Sequence, residues 1–166
     1  MKGLDRITKI LNEYCKQFDC VCEPSDDFYY FYDSSTVTFA FVTTEWIDKQ
    51  FVKFYETLGL NVKCDTFLLS LFHEIGHHHT IEEVEEEDYI YSQDVKDWID
   101  EQEASEELLD MYFNLPDEKI ATQWAVDYIN THIDEVYNLW LRLQPAILDF
   151  YKKNKIEGWQ VQLSMI

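Results

Sequence analysis

His73, Glu74 and His77 form the string HEIGH within LFHEIGHHHT. Four residues apart on a helix, two imidazoles stand on one face one turn from each other, so their ring nitrogens can converge on one tetrahedral metal ion. A zinc ion with three protein ligands keeps a position for water and lowers that water's pKa from about 15.7 to about 7. Glu74, beside the imidazoles, can take the proton and later hand it to a leaving amine, which is the chemistry of peptide-bond hydrolysis. The surrounding segment is apolar nearly all round, through Phe67, Leu68, Leu69, Leu71, Phe72 and Ile75, which predicts a central, buried helix. Two histidines and a glutamate there are costly unless something satisfies them, and a metal does so. His78 and His79 point away from His77 by about 100° and 200° and are expected beside the metal site rather than on it.

Two imidazoles leave a third ligand to find. Glu118 opens the string EKIATQWAVDYI, with Ala121 and Ala125 on its side of a helix. Small residues there let this helix approach the HExxH helix closely, as a glutamate must if its oxygen is to come within about 2.0–2.2 Å of zinc. Without a metal, the same carboxylate gains about 0.3–1 kcal/mol from the positive end of its helix. Glu83 competes, standing where HExxHxxGxxH proteases place a third histidine, but Thr80 replaces the glycine of that turn. The acids from Glu101 to Glu107 are residual candidates.

These residues need elements to position them. Leu4, Ile7, Ile10, Leu11, Tyr14 and Phe18 step by three and four, predicting an amphipathic helix over 2–19. FYYFY, DSS and TVTFAFVTT predict a β-hairpin from Phe28 to Thr43. Helical spacing returns from Glu45 to Leu58, with Gly59 placed to end the helix, and the HExxH helix runs from Asp65 to about Thr80. The acidic segment 82–110 is expected to expose its charges, with helix in its second half. Pro116 opens a helix to about Ile133, and Asp134 to Ile156 is helical with a break or kink at Pro145. The expected fold is α+β and mostly helical: a small N-terminal hairpin or sheet packed on the HExxH helix and a second ligand helix, in one domain over 1–166.

Composition narrows the function. The 166 residues carry 13 Lys+Arg against 33 Asp+Glu, a net charge of −20. Such a surface repels phosphate backbones, which argues against direct nucleic-acid binding and favours basic protein partners or cations. A DNA-mimicking inhibitor is thus a rival. The five Trp, eleven Tyr and eleven Phe provide a core despite the charge. The N-terminal stretch lacks the pattern of a signal peptide, no apolar run approaches the roughly 20 residues that span a bilayer, and Cys15, Cys20, Cys22 and Cys64 read as reduced thiols, so a cytoplasmic protein is expected. The irregular spacing of Cys15, Cys20 and Cys22 fits a structural zinc site poorly.

HEIGHH on a buried helix followed by an ExxAxxWA string resembles the minimal gluzincin metallopeptidases, most closely the ImmA/IrrE type, over His73 to about Ile129. The resemblance implies a helix–sheet–helix unit holding one catalytic zinc through His73, His77 and Glu118, with Glu74 as base. It also implies a substrate among the helix-turn-helix repressors of phages, mobile elements or stress responses, with an extended peptide added along the hairpin. The chain has Trp124 where that family commonly has Phe, DYINTH where it ends near Leu-Leu-Met-Pro, and LLSLFH in place of Thr-x-x-His. Tyr128 and His132 are the candidate oxyanion donors. The expected function is a zinc-dependent metallo-endopeptidase acting on a regulatory protein. The alternative is a zinc-binding acidic module that masks a basic, DNA-binding partner without cutting it.

Overall fold

A computed structural model describes residues 3–41 and 45–155. The protein is α+β and mostly helical. Helix α1, Leu4–Cys15, buries Ile7, Ile10, Leu11 and Cys15, and a short 3-10 turn carries it on to Phe18. Three strands follow: β1 Val21–Pro24, β2 Tyr29–Phe31 and β3 Thr36–Phe39. Six helices complete the chain: α2 Glu45–Thr57, α3 Thr66–Thr80, α4 Glu86–Asp100, α5 Glu106–Phe113, α6 Pro116–Thr131 and α7 Ile133–Lys153.

The expected hairpin is present, with its turn at Tyr32–Ser34 closed by Ser35 in the left-handed region at φ 49°. It is not the whole sheet. β1 pairs in parallel with β3 in the register Cys22 to Val37, while β2 pairs antiparallel with β3 in the register Tyr30 to Val37, so the order is β1-β3-β2. β3 is therefore central and buried at all four positions. Asn12 of α1 clamps the added strand, accepting from the Cys22 N–H at 2.9 Å and donating to the Cys22 carbonyl at 2.8 Å. The proposed hairpin end at Thr43, the helix start at residue 2 and the helix end at Ile156 lie outside the described residues.

Helix ends follow local chemistry. Gly59, at φ +100°, stops α2 by letting its own N–H reach the Glu56 carbonyl and the Leu60 N–H reach that of Tyr55, both at 3.0 Å. Asp65 caps α3, its Oδ1 accepting from the Phe67 N–H at 2.9 Å. Pro116 occupies the first turn of α6, where a missing N–H costs nothing. Of the break or kink expected at Pro145, a break is absent: α7 runs through it. The carbonyl left without a helical partner belongs to Leu141, 45% exposed, where water can satisfy it.

α3 is the central helix, burying ten residues from Phe67 to Thr80. One apolar cluster joins its Phe72 to α1, β1, β3, α6 and α7 through Leu11, Cys22, Val37, Ile129 and Trp140. Its tightest neighbour is α6. A Cβ built on Gly76 would lie 2.9 Å from the Ala121 carbonyl carbon and closer still to its oxygen, so glycine at 76 lets the two backbones touch. No helix among the described residues is long and apolar enough to cross a membrane.

Candidate metal centre

The closeness of α3 and α6 brings the predicted residues together. His73 Nε2 lies 2.8 Å from Glu118 Oε2, His77 Nε2 lies 3.4 Å from the same oxygen, and the two Nε2 atoms are 3.1 Å apart. Bonds of 2.0–2.1 Å at the tetrahedral angle place neighbouring ligand atoms about 3.3 Å apart, so the three atoms are spaced as ligands of one ion. They are positioned to hold a metal ion.

The hydrogen bonds favour the same reading. Thr122 Oγ1 donates to the Glu118 carbonyl at 2.8 Å, which leaves it to accept from His73 Nδ1–H at 2.9 Å. With that hydrogen on Nδ1, the ring turns its Nε2 toward the carboxylate and His77. The three atoms meet in a buried site, with His73 7% and Glu118 3% exposed, where a shared proton or a metal ion between them offsets the loss of water.

Glu118 divides its oxygens. Oε2 faces the imidazoles, while Oε1 accepts from Lys96 Nζ at 2.6 Å and from the Tyr112 hydroxyl at 3.3 Å. Lys96, from α4, also pairs with Asp117 Oδ2 at 2.6 Å and stands 5.5 Å from the centre of the Tyr112 ring. Burial opposes ionisation of Glu118, but the imidazoles of His77 and His73 outweigh it and hold the carboxyl well below its usual range. Burial likewise opposes the charge on Lys96, and the carboxylates of Glu118 and Asp117 more than compensate, raising its pKa. Asp117 Oδ1 is buried without a hydrogen-bond partner.

Glu74 is 9% exposed and borders a cavity of about 550 Å³ that also reaches His73, Glu118 and Tyr112. Burial pushes its carboxyl up to about 7, with the charges of Glu118 and Asp27 adding to the shift and His73 and Lys96 opposing it. A carboxyl held near neutrality suits a group that must both accept and release a proton.

Several expectations need correction. Tyr128 and His132 are not near the ligands: Tyr128 shares a hydrogen bond with Tyr14 and stacks on Phe72, Trp124 and His132. The cleft hydroxyl that reaches a candidate ligand is that of Tyr112, which donates to Glu118 Oε1. His78 and His79 do not support the metal ligands either; His78 ties Phe18 O at 2.7 Å and the Tyr30 hydroxyl at 2.9 Å to α3, and His79 stacks on Trp124. Glu83 is exposed in a 3-10 turn after α3, and Glu101, Glu103, Glu106 and Glu107 are exposed as well. β3, which carries Thr38, is flanked by β1 and β2, so the edge of the hairpin is β2 rather than β3. Cys15, Cys20, Cys22 and Cys64 are buried free thiols, with Cys15 Sγ and Cys22 Sγ 3.3 Å apart.

Lys96, Tyr112, Asp117 and Thr122 were not expected at the site. Lys96 carried a signal: it is the only Lys or Arg between Lys63 and Lys119, a lone cation in a long run of acids. No protein-family model matches the chain, and neither a curated protein nor a solved structure matches it.

Proposed function

We propose that this chain is a zinc-dependent metallo-endopeptidase that works in the cytoplasm on a regulatory protein such as a helix-turn-helix repressor. The observation that carries this reading is the convergence of His73 Nε2, His77 Nε2 and Glu118 Oε2 within 3.4 Å of one another, beside the nine-tenths buried Glu74 and at one end of an open cleft. The resemblance of HEIGHH and ExxAxxWA to ImmA/IrrE-type gluzincins supports the substrate class.

The donor set of two imidazoles and one carboxylate fits zinc. When bound, zinc supplies Lewis acidity toward a carbonyl oxygen and toward water. The chain's own residues do the rest. Thr122 holds the His73 ring in the orientation that directs Nε2 to the centre. Lys96 and Tyr112 hold one oxygen of Glu118 and leave the other for the ion. Glu74 accepts a proton from the attacking water and returns it to the departing amine, and the Tyr112 hydroxyl donates to the oxyanion that develops in the cleft by turning its one hydrogen away from Glu118 Oε1.

The test is elemental analysis of the purified chain and of His73→Ala and Glu118→Ala, together with comparison of cellular protein fragments in wild type and Glu74→Gln strains. Stoichiometric zinc that both alanine variants lose, with fragments that vanish in Glu74→Gln, is expected. Full zinc binding with identical fragments in both strains would favour an acidic module that masks its partner without cutting it.

A further inference from the structure

The cleft that begins at Glu74 continues along the N-terminal half of α3, and its lining is distinctive. Four aspartates reach it from three places: Asp26 and Asp27 before β2, Asp48 in the first turn of α2, and Asp65 at the cap of α3. Among the described residues, no lysine or arginine lines it. Asp65 and Asp27 each have local work, accepting from the Phe67 and Phe28 N–H groups at 2.9 and 2.7 Å, but that uses one oxygen of each. Asp48 makes no hydrogen bond or ion pair among the described residues. Its charge reaches Asp65, whose carboxyl is raised by burial and by Asp48, against the Phe67 N–H that lowers it.

Two further observations point to a ligand. Glu74, 9% exposed, faces the same cavity with no side-chain hydrogen bond to any described residue. Rings line the same cavity: Phe41 and Phe67 stack on each other at 5.1 Å, the Phe28 ring lies 5.4 Å from Phe67, and Tyr151 joins them. Aromatic faces combined with carboxylates recognise organic cations, attracting both the charge and the apolar stem that carries it. Phosphate and acidic side chains are repelled by the same lining.

We propose that this arm of the cleft is a subsite for a lysine or arginine side chain of a peptide substrate, bound by Asp48, Asp65 and Asp27 against Phe41 and Phe67. The proposal rests on the peptidase reading and specifies its substrate. Asp65 precedes His73 by eight residues, about 12 Å along the helix, which matches three to four residues of extended peptide at about 3.3 Å each. The basic residue therefore sits within about four positions of the bond that is cut. A basic DNA-binding regulator offers many such residues, and the chain's net charge of −20 draws it in at long range.

One randomised library of end-capped decapeptides tests this twice, as substrate for the zinc-loaded wild type and as ligand for zinc-loaded Glu74→Gln. Expected are cut sites with Lys or Arg enriched about tenfold at one position within four residues of the scissile bond, and the same enrichment among peptides retained by Glu74→Gln. In Asp48→Asn, and in Asp65→Asn, which keeps a capping oxygen, the preference for basic over neutral peptides should fall to about twofold or less. Cleavage without basic preference, or a preference that both variants keep, overturns the subsite. Retention of basic peptides that Asp48→Asn weakens, with no cleavage by wild type, leaves the subsite standing and overturns the peptidase. Neither cleavage nor retention overturns both.

Discussion

The Thr122 hydroxyl lies 2.9 Å from His73 Nδ1 while donating its own hydrogen to the Glu118 carbonyl. One small side chain thus fixes both the tautomer of a ligand ring and its placement relative to the carboxylate four residues earlier on α6. Thr122→Val keeps the shape and removes the acceptor. Zinc affinity, measured by competition with a chelator, should fall about ten- to a hundredfold with helix content unchanged; equal affinity would remove Thr122 from the site.

Gly76 and Gly59 are needed for different reasons, and alanine separates them. At Gly76 the added methyl meets the Ala121 backbone, and backbone cannot rotate away, so Gly76→Ala should cost about 3 kcal/mol or more and weaken metal binding. At Gly59 nothing lies within 4 Å of the new carbon, and only the positive φ is strained, at about 1–2 kcal/mol. Urea denaturation and metal titration of the two variants check both; a Gly76→Ala that binds metal normally would show that the helices need not touch.

The pH dependence of stability follows from Glu74. In the metal-free chain its carboxyl titrates at about 7 against an ordinary 4.5, so between those values the unfolded chain has lost a proton that the folded chain keeps. This group therefore takes stability away as pH rises from about 4.5 to 7, and the loss is complete above 7. Glu74→Gln is free of it. Its advantage over wild type in metal-free denaturation should be near zero at pH 4 and about 3 kcal/mol at pH 8. An advantage that did not change with pH would mean that Glu74 ionises normally.

Lys96 bridges Asp117 and Glu118, both 3% exposed. Lys96→Met leaves two buried carboxylates without their cation, and metal-free stability should drop by about 3 kcal/mol. A divalent ion restores positive charge beside Glu118, so added zinc should raise the melting temperature of the variant by more than it raises that of wild type. Equal shifts would show that lysine and metal act independently.

Tyr112→Phe separates holding Glu118 from helping the reaction. If the hydroxyl stabilises the oxyanion, kcat falls about a hundredfold while zinc affinity is kept. A loss of zinc affinity in step with kcat would instead assign Tyr112 to the carboxylate.

The chemistry-bearing core was legible because it is local. HExxH needs only the helical period, and Glu118 with Ala121 needs only that period and the demand for close approach. Residues that act across elements were not. Lys96 sits among exposed acids of α4, and only the fold shows it turned toward α6. β1 escaped for the same reason: Val21–Pro24 has one buried residue in four and pairs with a strand that is not its neighbour in sequence, so it has no alternation to read. Pro145 misled in the other direction, since the rule that proline breaks helices assumes a carbonyl with nowhere to go, and here that carbonyl belongs to an exposed residue. Tyr128 and His132 fell on the predicted helix but on its far stripe, packed into a ladder of rings.

The ammonium group of Lys96 sits on Glu118 Oε1, apart from the oxygen that faces the imidazoles. In small domains whose folding is itself metal binding, losing the ion unravels the chain. Here the protein keeps an internal counter-ion beneath its ligand carboxylate, so filling and emptying can be reversible events on one scaffold.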